Sequence, residues 1–182
     1  MCAVQDRGVE SEAKIVRLDA DGVRAALPAL ARVLHDCVAA GDSVSFLSGL
    51  SLDEARTYYE SLLAGVEVGT RVVLAAYDGD TLVGSVQFVH AWPPNSRYRA
   101  EVTKLVVHPS ARRRGIGRAL MERIEQEALA DEKTLLVLDT VSGGIADGLY
   151  ERLGWTRFGI VPRYAQDPGG TPCDAAFFYK HL

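Results

Sequence analysis

The sequence predicts one α/β domain of the α+β kind, with about seven strands and four helices in 182 residues. Three observations carry that reading. Helical and strand periodicities alternate in the order strand, two helices, three strands, helix, strand, helix, two strands. Asp78-Gly79-Asp80 joins two apolar runs as a tight hairpin turn. A strand ending at Pro109 passes through a glycine-containing turn into an amphipathic helix. The length suits one well-cored domain and is short for two of ordinary size.

Residues 1–13 are polar and aperiodic, which predicts a flexible tail before a domain over 14–182. Lys14 to Leu18 reads as the first strand. Asp19 to Ala40 reads as a helix in which Pro28 either makes a kink or marks the true start. A loop over 41–51 carries an exposed-looking Phe46. Ser51 and Glu54 form a capping box for a helix through Tyr58, Tyr59, Leu62 and Leu63. Arg71 to Tyr77 and Thr81 to Trp92 are the hairpin strands, and Pro93-Pro94 breaks the second. Arg99 to His108 follows and ends at Pro109, which cannot donate to a ladder. Gly115 to Asp131 is a helix with Ile116, Leu120, Ile124 and Ala128 on one stripe. Thr134 to Thr140 is a nearly continuous apolar strand, suited to burial on both faces. A short helix over Ile145 to Leu153 ends at Gly154, and Trp155 to Val161 and Ala175 to Leu182 are the last strands.

Composition narrows the function. Hydrophobic residues make up 48% and charged residues 24%, as in an ordinary soluble protein. The net charge of −4 argues against a nucleic-acid partner, so the basic run Arg112-Arg113-Arg114 points to a local anionic ligand. The opening MCAVQDRGVESEAK has no signal-peptide core, and no stretch is apolar and long enough to span a bilayer; the expectation is a cytoplasmic protein with no membrane partner. Cys2, Cys37 and Cys173 are scattered and odd in number, which fits reduced thiols. His35, His90, His108 and His181 have no metal-ligand spacing, so no metal is expected.

The most informative run is Val106-Val107-His108-Pro109-Ser110-Ala111-Arg112-Arg113-Arg114-Gly115-Ile116-Gly117-Arg118-Ala119. Gly115 and Gly117 permit a sharp turn and a close approach to a ligand. The first amides of the helix have no intrahelical partner, and with the helix dipole they suit an anion such as pyrophosphate. The run lacks the third glycine of the dinucleotide fingerprint and the Gly-Lys-Ser/Thr of a P-loop.

Arg112-x-x-Gly115-x-Gly117 resembles the acetyl-CoA motif of the GNAT N-acetyltransferase family, Gln/Arg-x-x-Gly-x-Gly/Ala. Leu105-x-Val107-x-Pro109 is similar to that family's central strand. Ala146-Asp147-Gly148-Leu149-Tyr150-Glu151-Arg152-Leu153-Gly154-Trp155 is similar to its second motif, Ala-x-x-Leu/Phe-Tyr-x-x-x-Gly-Phe/Tyr. The resemblance covers about Lys14 to the end. It implies a central mixed, mostly antiparallel twisted sheet with a splayed cleft. The strand ending at Pro109 carries a bulge, and pantetheine pairs with its free edge at Leu105, Val106 and Val107. Acetyl-CoA is then the co-substrate, held also by Arg112, Arg113, Arg114, Gly115, Ile116, Gly117, Arg118 and Ala119. One departure is Gly143, where many relatives place an asparagine near the thioester.

Acetyl transfer to an amine needs a neutral attacking nitrogen, a donor for the developing oxyanion and an acid for the thiolate. An alkylammonium has a pKa near ~10, so a proton acceptor helps. Glu101, fourteen residues before Gly115, resembles the glutamate base of several GNAT enzymes. The alternative is a charged strand end paired with Arg97 or Arg99. Unbroken alternation puts Glu101, Thr103, Leu105 and Val107 on one face unless a bulge intervenes. Tyr150 stands at the family's usual acid position; its alternative is simple packing. Asp139 ends its strand, where it either serves a cationic amine or caps the loop. Phe46, His90 and Trp92 are candidates for lining the acceptor pocket. Neither Cys37 nor Cys173 sits in a recognisable activated motif, which favours direct attack over an acyl-enzyme.

Within the family the chain looks most like the tabtoxin-resistance group, which acetylates a small amino-acid-like toxin. The likeness lies in Gly41-x-Ser43-Val44-x-Phe46-Leu47, in Arg99-Ala100-Glu101-Val102-x-Lys104-Leu105-x-Val107-His108 and in Leu138-Asp139-Thr140. It implies a small amine whose own carboxylate is held elsewhere, with Arg97 and Arg163 as candidates, by a monomer or homodimer. The other readings are a protein or peptide acetyltransferase, a CoA-binding sensor without catalysis, and a non-CoA phosphate-binding domain.

Overall fold

The computed structural model describes residues 13–182; all but Ala13 of the expected tail lies outside the described residues. Its elements are β1 (Lys14–Leu18), α1 (Ala20–Ala39), α2 (Leu52–Ser61), α3 (Leu63–Glu67), β2 (Arg71–Asp78), β3 (Thr81–His90), β4 (Arg99–Val107), α4 (Ile116–Ala130), β5 (Leu135–Val141), α5 (Ile145–Arg152), β6 (Thr156–Gln166) and β7 (Pro172–His181). Local chemistry sets most of the boundaries. Asp19 caps α1 by accepting from the Gly22 amide at 2.7 Å. The helix then runs on through Pro28, whose ring lies on an exposed face. Ser51 and Glu54 form the reciprocal capping box of α2. A break at Leu62 leaves α3 as a short continuation.

The seven strands make one sheet in the order β1-β2-β3-β4-β5-β7-β6. Every pairing is antiparallel except β4 with β5. One face is covered by α1 and α2, where Leu30, Leu34 and Tyr59 pack on Val73 and Ala75. The other face is covered by α4 and α5, where Leu120, Met121, Ile124 and Tyr150 pack with Phe88, Leu136 and Phe178. Three strands differ from their expected spans, β7 by starting at Pro172 and not at Ala175. β3 stops at His90, before Trp92, and β6 runs past Val161 to Gln166. β6 is an edge strand, so Pro162 within it leaves no ladder donor missing from a neighbour.

Two irregularities create the opening on which function depends. Between Ser85↔Val106 and Gln87↔Thr103 the β3–β4 register shifts, so Val86 stands opposite both Lys104 and Leu105. This is a β-bulge, and Lys104 takes a left-handed φ of 55° to form it. Alternation therefore does not run unbroken from Glu101 to Val107. Glu101, Thr103, Lys104 and Val106 face the α1–α2 side, while Leu105 and Val107 turn toward α4. The second irregularity is a splay. β4 and β5 pair only at Arg99↔Leu135, Ala100↔Leu136 and Glu101↔Val137. A bulge bends and twists its strand, which carries β4 away from β5 beyond Glu101.

Gly84 lets β3 and β4 stay close beside the bulge. A Cβ there would lie 2.9 Å from the Val106 carbonyl oxygen and 3.2 Å from Leu120 Cδ1. The first of these is backbone and cannot swing aside. Gly84→Ala is expected to destabilise the fold by about 1–3 kcal/mol, as overpacking does. Thermal unfolding measures this, and an unchanged Tm would contradict the close approach.

Candidate active site

The turn before α4 has the geometry of an anion cradle. Pro109 ends β4, Arg113 and Gly115 take left-handed φ values of 62° and 78°, and Gly115 caps α4. The first intrahelical bond runs from the Ala119 amide to the Gly115 carbonyl, so the amides of Ile116, Gly117 and Arg118 remain at the open helix end. A Cβ on Gly117 would meet only Leu149 at 3.6 Å and Val107 at 3.9 Å, ordinary contacts.

The three arginines divide their tasks. Arg112 donates from Nε to the Val107 carbonyl at 3.1 Å and from Nη2 to Asp42, bracing the strand end against the end of α1. Arg114 donates to Asp78 at 2.7 Å, on the hairpin turn. Arg113 is exposed beside the helix start. These carboxylates are distant in sequence, so no local pattern announces them.

The cleft runs from this cradle along the splay. The outer edge of β4 over Leu105, Val106 and Val107 faces away from β3, and no β5 residue pairs with it. An extended thioester arm fits that edge, with a diphosphate at the helix start, so the residues present suit acetyl-CoA.

Glu101 and Asp139 share one face where the strands part, and Tyr150 lies in the core of the other face, near enough to feel the Asp139 charge. Glu101 pairs with Val137, and Asp139 lies two residues further along β5 on the same face. Asp139 is open to the cleft yet crowded on its other sides. That crowding raises its carboxyl above the ordinary range, while nearby Lys104 partly offsets the rise. Tyr150 lies on α5 in the core, ringed by Trp155 and Phe178 at 6.0 and 5.7 Å. Burial, with a smaller push from the Asp139 charge, moves its phenol far above the usual value. Its hydroxyl therefore stays protonated.

Several polar residues on the α1–α2 side of this opening were not singled out from sequence. Lys104 donates to Ser45 Oγ at 2.8 Å and sits 5.6 Å from the Phe46 ring and 5.7 Å from the Tyr58 ring. Burial lowers its ammonium pKa, against the opposing pull of Asp139 and Glu101. Phe46 is half-buried edge-on against Tyr58 at 5.3 Å, not exposed. Gln87 is fully buried and accepts from Arg71 at 2.9 Å and from Tyr58 at 3.2 Å. The signal for Lys104 was the bulge itself, and no glycine marks it.

One loop is tied to both sides of the opening, as a partial roof. The loop between α1 and α2 is pinned to β4 through Lys104 and Ser45. Three residues on, the Ser48 amide donates to the Pro168 carbonyl at 2.7 Å, in the β6–β7 turn. β7 pairs with β5 near that turn, so the bond carries the loop across the β4–β5 splay.

Other candidates stand elsewhere. His90 meets Asp131 at 3.2 Å and stacks on Phe88. Asp131 closes the C-terminal end of α4, the opposite end from the cradle. Trp92 follows the end of β3 and is 89% exposed. Arg97 lies exposed in the β3–β4 connection, and Arg163 lies exposed on β6. Gly143 takes a φ of 75° and donates its amide to Asp147 at 2.6 Å, which fixes the turn into α5. Cys37 is buried, and burial raises its thiol pKa to about 12, unlike an activated nucleophile. Among the described residues no group of His, Cys, Asp and Glu could hold a metal, and no helix is long and apolar enough to cross a membrane.

The sequence profile of the Acetyltransferase (GNAT) family matches residues 43–155. A curated relative, the IAA acetyltransferase of Azospirillum brasilense, is 41% identical over 69 residues, which span 37% of this chain and 45% of that protein. The ribosomal-protein-alanine N-acetyltransferase of Brucella melitensis superposes with a TM-score of 0.76 at 23% identity, over 93% of this chain and 99% of that one. The yncA structure from Salmonella typhimurium, solved with its cofactor acetyl-CoA, gives 0.75 at 22% identity over 94% and 95%. Matched motifs, the splayed cleft and the family profile agree: this chain belongs to the GNAT family of acetyltransferases.

Proposed function

We propose that this acetyltransferase acts on the amine of a small molecule, by direct attack while acetyl-CoA and the acceptor are both bound. The observation that carries the reading is the roof. The Ser48–Pro168 bond and the Lys104–Ser45 bond hold one loop over the splay from both sides. A partly covered opening suits a small acceptor better than a segment of folded protein.

Acetyl-CoA supplies an acyl group activated as a thioester. The chain's part is binding and proton management. The β4 edge over Leu105, Val106 and Val107 and the turn from Arg112 to Ala119 hold the cofactor. Glu101 and Asp139 attract the ammonium and take its proton, so the nitrogen attacks neutral. The new C–N bond forms as the C–S bond breaks; Tyr150 passes its proton to the sulfur, and the proton that the acylated nitrogen sheds restores the phenol. Phe46 lines the acceptor side; His90 and Trp92 lie away from this set. The likeness of the loop over 41–47 and of the β4 segment to the tabtoxin-resistance group supports an amino-acid-like acceptor, such as a toxin or antibiotic.

The test is a panel of small amines, peptides and proteins with acetyl-CoA, following release of free CoA. Small amines should turn over. Turnover confined to peptides or proteins would sink the reading. The cofactor site has its own test. Gly117→Val fits the protein, since a Cβ meets only ordinary contacts, yet it crowds the cradle. Calorimetry on the folded variant should show acetyl-CoA affinity falling by about tenfold or more, the size of one lost charge-assisted contact. Unchanged affinity would place the diphosphate elsewhere.

A further inference from the structure

Two cations on the α1–α2 side have no ion pair among the described residues. Arg71 and Lys104 are partly covered, and neither meets a carboxylate at ion-pair distance among the described residues; their polar contacts are Gln87 Oε1 and Ser45 Oγ. Elsewhere, Arg17, Arg112, Arg123 and Arg157 each meet a carboxylate at 2.5–2.9 Å. Covering a cation without an anion is costly, so the mismatch calls for a partner.

The surroundings are also incomplete. Gln87 Oε1 accepts from both Arg71 and Tyr58, which fixes the amide orientation, because a flip would set the NH2 group against the guanidinium, which can only donate. Among the described residues its Nε2 then has no hydrogen-bond partner, nor does Thr103 Oγ1, which stands opposite it in register. Two buried polar atoms without hydrogen bonds are uncommon side by side, and each asks for an explanation.

We propose that Arg71 and Lys104 form the anion-binding half of the acceptor site, so that the acceptor is an amine carrying its own carboxylate. This rests on the small-molecule reading above. Register gives the scale. Arg71, Val89, Glu101 and Val137 lie in one row across four strands. Arg71 and Glu101 are thus two strand spacings apart, about 10 Å between backbones. Long side chains closing from both ends shorten that gap to the length of an amino acid. The carboxylate goes to the Arg71 guanidinium and the Lys104 ammonium, which desolvation favours because a bound anion relieves it. The amine goes to Glu101 and Asp139. Gln87 holds Arg71 in place and acts as a positioning residue.

The probes are free amino acids of both hands, their matched carboxamides and the decarboxylated amines, each with acetyl-CoA and thiol release. The wild-type protein should prefer free acids over the carboxamides. Arg71→Met should raise KM for the best acid by roughly 10- to 100-fold, the worth of a hydrogen bond to a charged group, and leave the carboxamide nearly unaffected; Lys104→Met, which also removes the bond to Ser45, should raise KM for the acid by clearly more than for the carboxamide. Lys104→Arg, which keeps the charge, should retain much of the preference. Acetyl-CoA affinity measured by calorimetry checks that each variant is folded.

Simple amines or carboxamides used as well as the acids, and equally by Arg71→Met, would overturn the anion site and leave the small-molecule reading intact. Turnover confined to peptides or proteins would remove both. Absence of turnover on every free acid would also overturn the anion site.

Discussion

Tyr150→Phe is expected to lower kcat by about 10²- to 10³-fold, within the range for loss of a general acid, while acetyl-CoA affinity stays near the wild-type value. The phenol sits in the core between Trp155 and Phe178, so the ring keeps its packing when the hydroxyl goes. Burial and the Asp139 charge raise its pKa, so Tyr150 holds its proton throughout the working pH range. The defect should therefore not be rescued by raising pH. It should shrink with an acyl donor whose thiol is more acidic, because that sulfur needs less help to leave. A kcat equal to wild type would return Tyr150 to a packing role.

The carboxylates should behave oppositely. Asp139→Asn and Glu101→Gln each keep shape and remove a proton acceptor, and such losses typically cost about 10²–10⁴ in rate. Crowding raises the Asp139 pKa, so wild-type activity should fall on the acid side at a higher pH than an ordinary aspartate would give. A base works only when ionised, so the activity is present above that pKa and lost as pH falls through it. Asp139→Asn should remove this limb. Both variants should recover as pH rises and the amine loses its own proton. The checking measurement is kcat/KM against pH for one identified amine. A full-rate Glu101→Gln at neutral pH would leave proton transfer to Asp139 or water, and an unmoved acid limb in Asp139→Asn would exclude Asp139 as its source.

Sequence alone conveyed whatever is coded locally. The stripe of α4, the Ser51–Glu54 box, the Asp78-Gly79-Asp80 turn and the glycines at 115 and 117 are short-range chemistry, and each stands where expected. The facing of β4 was illegible beyond Thr103, because the bulge uses a lysine in a left-handed conformation that sequence pattern does not announce. The arginine cluster was legible as basic, but its bracing to Asp42 and Asp78 depends on long-range contacts. His90 and Trp92 were paired by assuming a strand two residues too long. The bonds between Ser48 and Pro168 and between Arg71 and Gln87 are likewise tertiary, and without them neither the roof nor the uncompensated cations could be read.

The bulge at Lys104 has a bearing on how such a protein can diversify. In the proposed reading, β4 upstream of it would offer side chains to the acceptor; downstream, it would offer peptide groups to the cofactor. A peptide edge is indifferent to side-chain identity, whereas Glu101, Thr103 and Lys104 are defined by theirs. One extra residue thus separates two inheritable traits on a single strand. Substitutions at the first three can redirect the choice of amine while the machinery for carrying the acetyl group is passed on unaltered.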